Sequence, residues 1–276
     1  MALDINTNVA SLNAQFNLNK TQGGLNQAIR RLSSGLRINQ ASDDAAGLAI
    51  ADRLERDQRV AGQAIRNAND GLSALAVGEQ ALGTDTDILT RLSELATEAA
   101  TGTVSDAQRS AIQQEFTALL SEIDRISATT VFNGVQLLSA GTTVTLQIGL
   151  DNSSNSQISF NSVDGSVSGI LGVTAGSIAV STQAAAQSAL AFLTSGIAQV
   201  AQTRGSIGAV ESRLLTAISN LQVAQQNFQE AEGRIRDADV AAESANLAKS
   251  EVLQQAGAAV LAQANQLPNL ALKLLG

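Results

Sequence analysis

Residues 190–236 read LAFLTSGIAQVAQTRGSIGAVESRLLTAISNLQVAQQNFQEAEGRIR. Counted forward from Leu190 in alternating steps of three and four, one set of stops is apolar throughout: Leu193, Val200, Ile207, Leu214, Leu221, Phe228 and Ile235. The alternate stops are mixed, with Leu190, Ile197 and Ile218 apolar but Arg204, Glu211, Gln225 and Glu232 polar. One strong seam and one interrupted seam, sustained over many turns, predict a single helix from about Thr182 to Arg236 lying against other helices. At 1.5 Å per residue such a helix is on the order of 80 Å long. Its stripe must be covered by other parts of the chain or by other copies of it.

Composition points the same way. The chain has 276 residues, 44 % of them hydrophobic, but only 2 % aromatic, all of these being six Phe. A core of Ala, Leu, Ile and Val suits helix-on-helix packing better than a wide interior. There is no Cys and no His, which excludes a disulfide framework, thiolate or imidazole metal sites, and Ser–His or Cys–His nucleophile pairs. A net charge of −8 gives no support to nucleic-acid binding. The composition favours no enzyme, cofactor or metal. One proline, Pro268, leaves the rest free to run as long helices. The first residues do not read as a cleaved signal peptide, because Asp4 precedes any basic residue and Asn6, Asn8, Asn13 and Asn17 interrupt the apolar positions. No run reads as apolar enough to span a membrane.

Toward the N-terminus, Ile5, Val9, Leu12 and Phe16, then Leu25, Ile29 and Leu32, mark a helical stripe that breaks at Ser33–Gly35. Ser42, Asp43 and Asp44 supply a cap and first-turn carboxylates for a second helix over about Ala45–Ala100, stopped near Gly102. On it Ile65, Ala68, Leu72, Leu75, Leu82 and Leu89 share a register interrupted by Glu79 and Thr86, and Leu92, Leu95 and Ala99 continue the face. Gly62, Gly71, Gly78 and Gly83 within it are read as points of close helix contact. Ser105 and Gln108 form a capping box for a shorter helix to about Ala128, burying Ile112, Phe116, Leu119, Leu120, Ile123 and Ile126. Phe132–Asn133–Gly134–Val135 is a turn between extended pieces. From Ser139 to Thr182 Gly, Ser, Thr and Asn dominate, and the alternation of Val144, Leu146, Ile148 and Leu150, and of Ile158 and Phe160, marks a small β region. A last helix, about Asp239–Leu275, carries Leu247, Leu253, Val260, Ala264 and Leu267 on one stripe.

Both terminal segments are amphipathic yet sparsely charged. They either fold when copies associate, each covering the other's stripe, or lie on a membrane surface. The absence of Lys and Arg on their polar faces argues against the membrane. Among candidate acids, Asp43 with Asp44, and Asp237 with Asp239, read as caps and turns, and Asp85–Thr86–Asp87 lies inside a helical pattern without the spacing of a calcium loop. The arginines Arg30, Arg31, Arg37, Arg53, Arg56, Arg59 and Arg66 could complement Asp237, Asp239 and Glu243 if the two ends lie side by side.

Several runs resemble bacterial flagellin. They are Ile5–Asn8, Arg31–Asn39, Ala41–Ile50, Arg66–Ser73, Phe132–Gly134, Arg234–Asp239, Gln255–Gly257 and Leu261–Gln266, spread over residues 1–138 and 183–276. The resemblance implies a mainly α fold: a long antiparallel helical bundle or coiled coil with a small β-hairpin region and paired N- and C-terminal helices. It divides the chain into an inner-core helix and linker (1–43), a long helix, second helix and β-rich tip (44–182), a returning helix (183–236) and a C-terminal inner-core helix (237–276). Ile5, Val9, Leu12, Phe16, Leu253, Val260, Ala264 and Leu267 become the inner-core assembly residues.

The function so implied is a filament subunit of the bacterial flagellum, a homopolymer secreted without a cleaved signal peptide through the flagellar type III channel. Its partners would be itself, an export chaperone, and the filament cap and hook-junction proteins, with neither nucleic acid nor membrane insertion. Thr90–Leu95 resembles the segment by which many flagellins meet a vertebrate Toll-like receptor, which makes Arg91, Leu95 and Glu115 candidate contacts. The competing readings are a hook–filament junction protein of the same superfamily and a secreted membrane-active helical protein.

Overall fold

The computed structural model describes residues 7–275, with side chains described through residue 266. The expectations placed on Ile5 and on the Leu267 side chain lie outside them. The elements are α1 (Val9–Ser34), α2 (Ala45–Ala100), α3 (Asp106–Thr129), β1 (Val131–Phe132), β2 (Val135–Gln136), β3 (Thr143–Gln147), β4 (Gln157–Asn161), α4 (Val167–Leu171), α5 (Gln183–Arg236) and α6 (Val240–Leu275). The chain divides into two compact units, one of residues 59–225 and one of residues 1–58 with 226–276. These divisions fall inside α2 and α5, whereas the sequence suggested boundaries at the loops near 43 and 236.

In the unit of residues 59–225, α2 and α5 run antiparallel. Leu75, Leu82, Leu89, Leu92 and Leu95 of α2 share one core with Leu193, Val200, Ile207 and Leu214 of α5 and with Phe116, Leu120 and Ile123 of α3. The polar interruptions of the two heptads meet: Arg204 Nη2 donates to Glu79 Oε1 at 2.8 Å. The later stops Leu221, Phe228 and Ile235 are only half-buried, where the alternate stops Gln225 and Glu232 are polar.

The capping box forms as expected. Ser105 Oγ accepts the Gln108 N–H, Gln108 Oε1 accepts the Ser105 N–H, and this opens α3. Asn133 and Gly134 both have positive φ, 48° and 81°, which is the mirror-image turn that joins β1 to β2. β3 and β4 pair antiparallel with Val144 opposite Phe160 and Leu146 opposite Ile158. Of the four α2 glycines, Gly71 is the tightest, since a methyl group there would strike Leu146 of β3, while Gly83 faces open space. The contact at Gly71 is therefore with a strand rather than a helix.

One expectation needs correction. An 18-residue window of α5 reaches a mean hydropathy of 1.2, so by length and composition this helix could cross a membrane. Its Gln, Ser and Thr residues disguised the fact that no charged residue occurs from Gln183 to Thr203. In the fold one face of this stretch packs into the bundle core, with Ala186, Ala189, Leu193 and Val200 each at most 1 % exposed, and its other faces are exposed or half-buried.

In the unit of residues 1–58 and 226–276, α1 and α6 pair antiparallel. Asn8 Nδ2 donates to the Ala264 carbonyl (2.8 Å), Ser11 Oγ to Asn265 Oδ1 (2.8 Å), and Gln254 to Gln22. At the other end Arg31 lies 3.7 Å from Glu243.

Candidate functional site

The α1–α6 seam is made mostly of small and polar residues, with a few Leu among them. On α1 it buries Ser11, Ala14, Leu25 and Ala28, and on α6 Glu243 and Ala264, with Leu247, Gln254, Gly257 and Leu261 half-buried at helical spacing between them. A methyl group on Gly257 would approach Leu18 Cδ1 to 3.3 Å, so small side chains let the two helices come close. Apart from Leu25, which the seam buries, and the half-buried Leu247, the large apolar residues at the open end of the sequence stripe are left on the outside. Val9, Leu12 and Phe16 are 57, 57 and 70 % exposed, and Leu253 and Val260 are 48 and 58 % exposed. Of the described assembly residues only Ala264 lies in the seam. Val252, 64 % exposed beside Leu253, belongs to the outer face but escaped the sequence reading because it falls off the chosen stripe.

The linkers of this unit are held by backbone bonds and caps. Leu36 and Asp237 form an antiparallel bridge, flanked by the Arg37 N–H donating to the Arg236 carbonyl and the Ala238 N–H donating to the Gly35 carbonyl. Arg37 Nη2 adds a bond to the Ile235 carbonyl at 2.6 Å. Gly35 closes α1 with φ 72°. Asp44 Oδ1 accepts the Gly47 N–H (2.9 Å), which makes Asp44 the cap of α2 rather than a first-turn acid. Asp43 folds the preceding turn by accepting the N–H groups of Asn39 and Gln40, and the Asn39 bond is the main reason its carboxyl is held below its ordinary value. Asp239 caps α6 through the N–H groups of Ala241 and Ala242. Of the N-terminal arginines Arg31 pairs with Glu243 as expected, while Asp239 is taken up in capping α6; in the reverse sense, the C-terminal Arg236 lies between Glu55 (3.2 Å) and Glu232 (3.6 Å).

On the other unit, Arg91 of α2 bonds Glu115 of α3 (Nε to Oε1, 3.0 Å) and Glu94 one turn along (3.0 Å). Glu94 first and then Glu115 hold its guanidinium above its ordinary value. Both ends of this bridge are about half-exposed. Leu95 does not belong to that surface, because at 2 % exposure it is packed in the bundle core beneath it.

Two charged residues of the bundle core, Arg109 and Asp85, were not anticipated. Arg109 is 7 % exposed and ties α3 to the end of α2 by donating to the carbonyls of Ala99 (2.9 Å) and Thr101 (3.0 Å) and to Asp106 (2.9 Å). Asp85 of α2 is 0 % exposed, and neither carboxyl oxygen has a hydrogen-bond partner. Burial pushes its carboxyl up to about 7. No group of three or more Asp or Glu converges as a metal site among the described residues.

Comparison with known proteins identifies the architecture. Residues 5–143 match the family model of the bacterial flagellin N-terminal helical region, and residues 190–275 that of the bacterial flagellin C-terminal helical region. Flagellin of Salmonella paratyphi A is 46 % identical over 170 residues, covering 62 % of this chain and 34 % of that protein. Flagellin of Escherichia coli K12 is 45 % identical over 172 residues, with the same shares. The chain thus spans about a third of the length of these relatives. Among solved structures, Bacillus cereus flagellin aligns with TM-score 0.50 and 26 % identity over 56 % of this chain and 88 % of the other. A putative flagellar hook-associated protein from Vibrio parahaemolyticus aligns with TM-score 0.59 and 16 % identity over 71 % of this chain and all of the other, a likeness of fold. With matched segments at both ends and the helices of each placed as the motifs required, the chain belongs to the bacterial flagellin family.

Proposed function

We propose that this chain is a structural subunit that polymerises into the helical filament of the bacterial flagellum, the propeller of swimming motility. The observation that carries the reading is the outer face of the α1–α6 pair, where Val9, Leu12, Phe16, Leu253 and Val260 remain about half or more exposed in a single chain. Fully burying a side chain of this size contributes about 1.5–3 kcal/mol, and five of them together outweigh the lower part of the roughly 4–15 kcal/mol association cost. Exposure of these residues in one copy and burial between copies is the arrangement a self-assembling subunit needs.

On this reading the subunit works outside the cell, exported without a cleaved leader. An export chaperone holds its C-terminal segment before assembly, and cap and hook-junction proteins meet the two ends of the polymer. The exposed Arg91–Glu115 bridge is the surface a vertebrate Toll-like receptor would contact. Family membership supports these assignments. The residues with chemistry act in caps, turns and helix ties, in keeping with a role that needs no catalysis.

Electron microscopy of the full chain after seeding, beside Phe16→Glu and Val260→Glu, tests the reading. The unaltered chain is expected to form long filaments and the variants to stay monomeric with unchanged helical circular dichroism. Filaments from both variants, or none from the unaltered chain, would overturn it.

A further inference from the structure

Asp85 is out of place where it stands. It occupies the inner stripe of α2 between Leu82 and Leu89, which are at most 1 % exposed, and its own exposure is 0 %. Counting equal distances along the antiparallel helices from the Glu79–Arg204 bond brings it level with Ile197 and Val200 of α5. The same count from the Arg91–Glu115 bond brings it level with Leu120 and Ile123 of α3. A charged carboxylate in such a place loses its water without gaining a bond, whereas the neutral acid loses far less.

No neighbouring charge relieves it. On α5 the nearest charged residue, Arg204, is engaged by Glu79 at 2.8 Å. On α3, Asp124 accepts the Val167 N–H at 2.9 Å, and Glu122 is paired with Arg125 at the surface. Ahead of α4, Asp164 accepts the Ser166 N–H. On α2 itself Asp87 is exposed and Arg91 is held by Glu94 and Glu115. The Thr86 hydroxyl is turned back to the Leu82 carbonyl at 2.8 Å.

We propose that Asp85 is a proton-operated latch of the 59–225 bundle: with its proton on, α2 packs closed against α3 and α5, and with its proton off, the carboxylate loosens that packing by drawing toward water. The sign follows from the two states. The folded bundle holds the proton up to about pH 7, while the unfolded chain releases it near 3.8. The stability contributed by Asp85 is therefore fully present below the lower value, falls by up to about tenfold in the folded-to-unfolded ratio per pH unit between the two, and is gone above the upper one. No other side chain ordinarily titrates in the pH 5–8 window, because the chain has no His and no Cys. The inference concerns one folded subunit and does not depend on the assembly reading.

Urea unfolding of the dilute, unassembled full chain at pH 5, 6, 7 and 8 tests it, followed by helical circular dichroism. For the unaltered chain the folded-to-unfolded ratio should fall on the order of a hundredfold from pH 5 to pH 8. Asp85→Asn and Asp85→Val should abolish that slope, and Asp85→Val should unfold at higher urea than the unaltered chain at pH 8. A flat profile for the unaltered chain, or an undiminished slope in either variant, overturns the proposal. Should neither variant fold, carbon-13 titration of the carboxyl signals in the unaltered chain decides: a midpoint near 7 for Asp85 supports the latch, and one below 5 removes it.

Discussion

Two phenylalanines show how the two units of this protein differ. Phe116 of α3 is 0 % exposed in the core of the 59–225 bundle, and Phe16 of α1 is 70 % exposed on the terminal helix pair. Both lie on apolar stripes of helical spacing, and by sequence the stripes look alike. In the bundle the large residues meet each other, whereas in the terminal pair the helices close on Ala, Ser and Gly with Leu25 among them, and leave Val9, Leu12, Phe16, Leu253 and Val260 facing out. An amphipathic pattern therefore tells that a face will be covered, and only the packing of the helices tells whether the same chain covers it.

The sharpest way to break the contrast is Phe116→Ala, which should cost about 3–5 kcal/mol, read as a fall in the urea midpoint, because the cavity lies in a fully packed core. Next comes Ala28→Leu, at a seam position 1 % exposed. Overpacking should cost about 1–3 kcal/mol and raise hydrogen exchange along α1 and α6 while leaving exchange in α3 unchanged. If α1 stays as protected as before, the small-residue seam is not what sets their approach. Ser105→Ala removes the cap of α3 and should cost about 1 kcal/mol in thermal unfolding, a local effect against which the packing losses can be scaled.

A double-mutant cycle of Glu79→Gln and Arg204→Gln should return a coupling of about 0.2–1 kcal/mol, since the pair is 40 % exposed on each side and screened by water. A larger coupling would mean that these polar stops specify the pairing of α2 with α5 more strongly than their exposure allows. The smallest expected change is Phe16→Ala in the monomer, within about 0.5 kcal/mol. The same substitution should slow or prevent seeded filament growth by turbidity. A large loss of monomer stability would erase the distinction between the two phenylalanines.

Helix existence was legible because its signals are local. The seven-residue repeat from Leu193 to Leu214, the Ser105–Gln108 box and the Asn133–Gly134 turn each specify their own structure through short-range geometry. The outward direction of Val9, Leu12 and Phe16 was not legible, because a helix with two apolar faces, one of small and one of large residues, carries no local mark of which face its partner takes. Nor was the burial of Leu95 beneath the Arg91–Glu115 bridge, which depends on where α3 crosses α2. Asp85 looked like part of a polar Asp–Thr–Asp stretch, and only the angular position of each residue around α2 separates the buried Asp85 from the exposed Asp87.

Sequence by itself determined the helical class, the order of the long helices and the β region between them, the Ser105–Gln108 box and the Asn133–Gly134 turn, and the membership in the flagellin family, since all of these rest on periodicity and short motifs; the short helix α4 within the β region was not among them. Tertiary structure decided which stripe each helix buries, which polar stops pair across the bundle, and that one carboxyl is shut away from water. Those outcomes depend on residues far apart in the chain, on how closely two backbones can approach, and on a desolvation cost that exists only once the helices have closed.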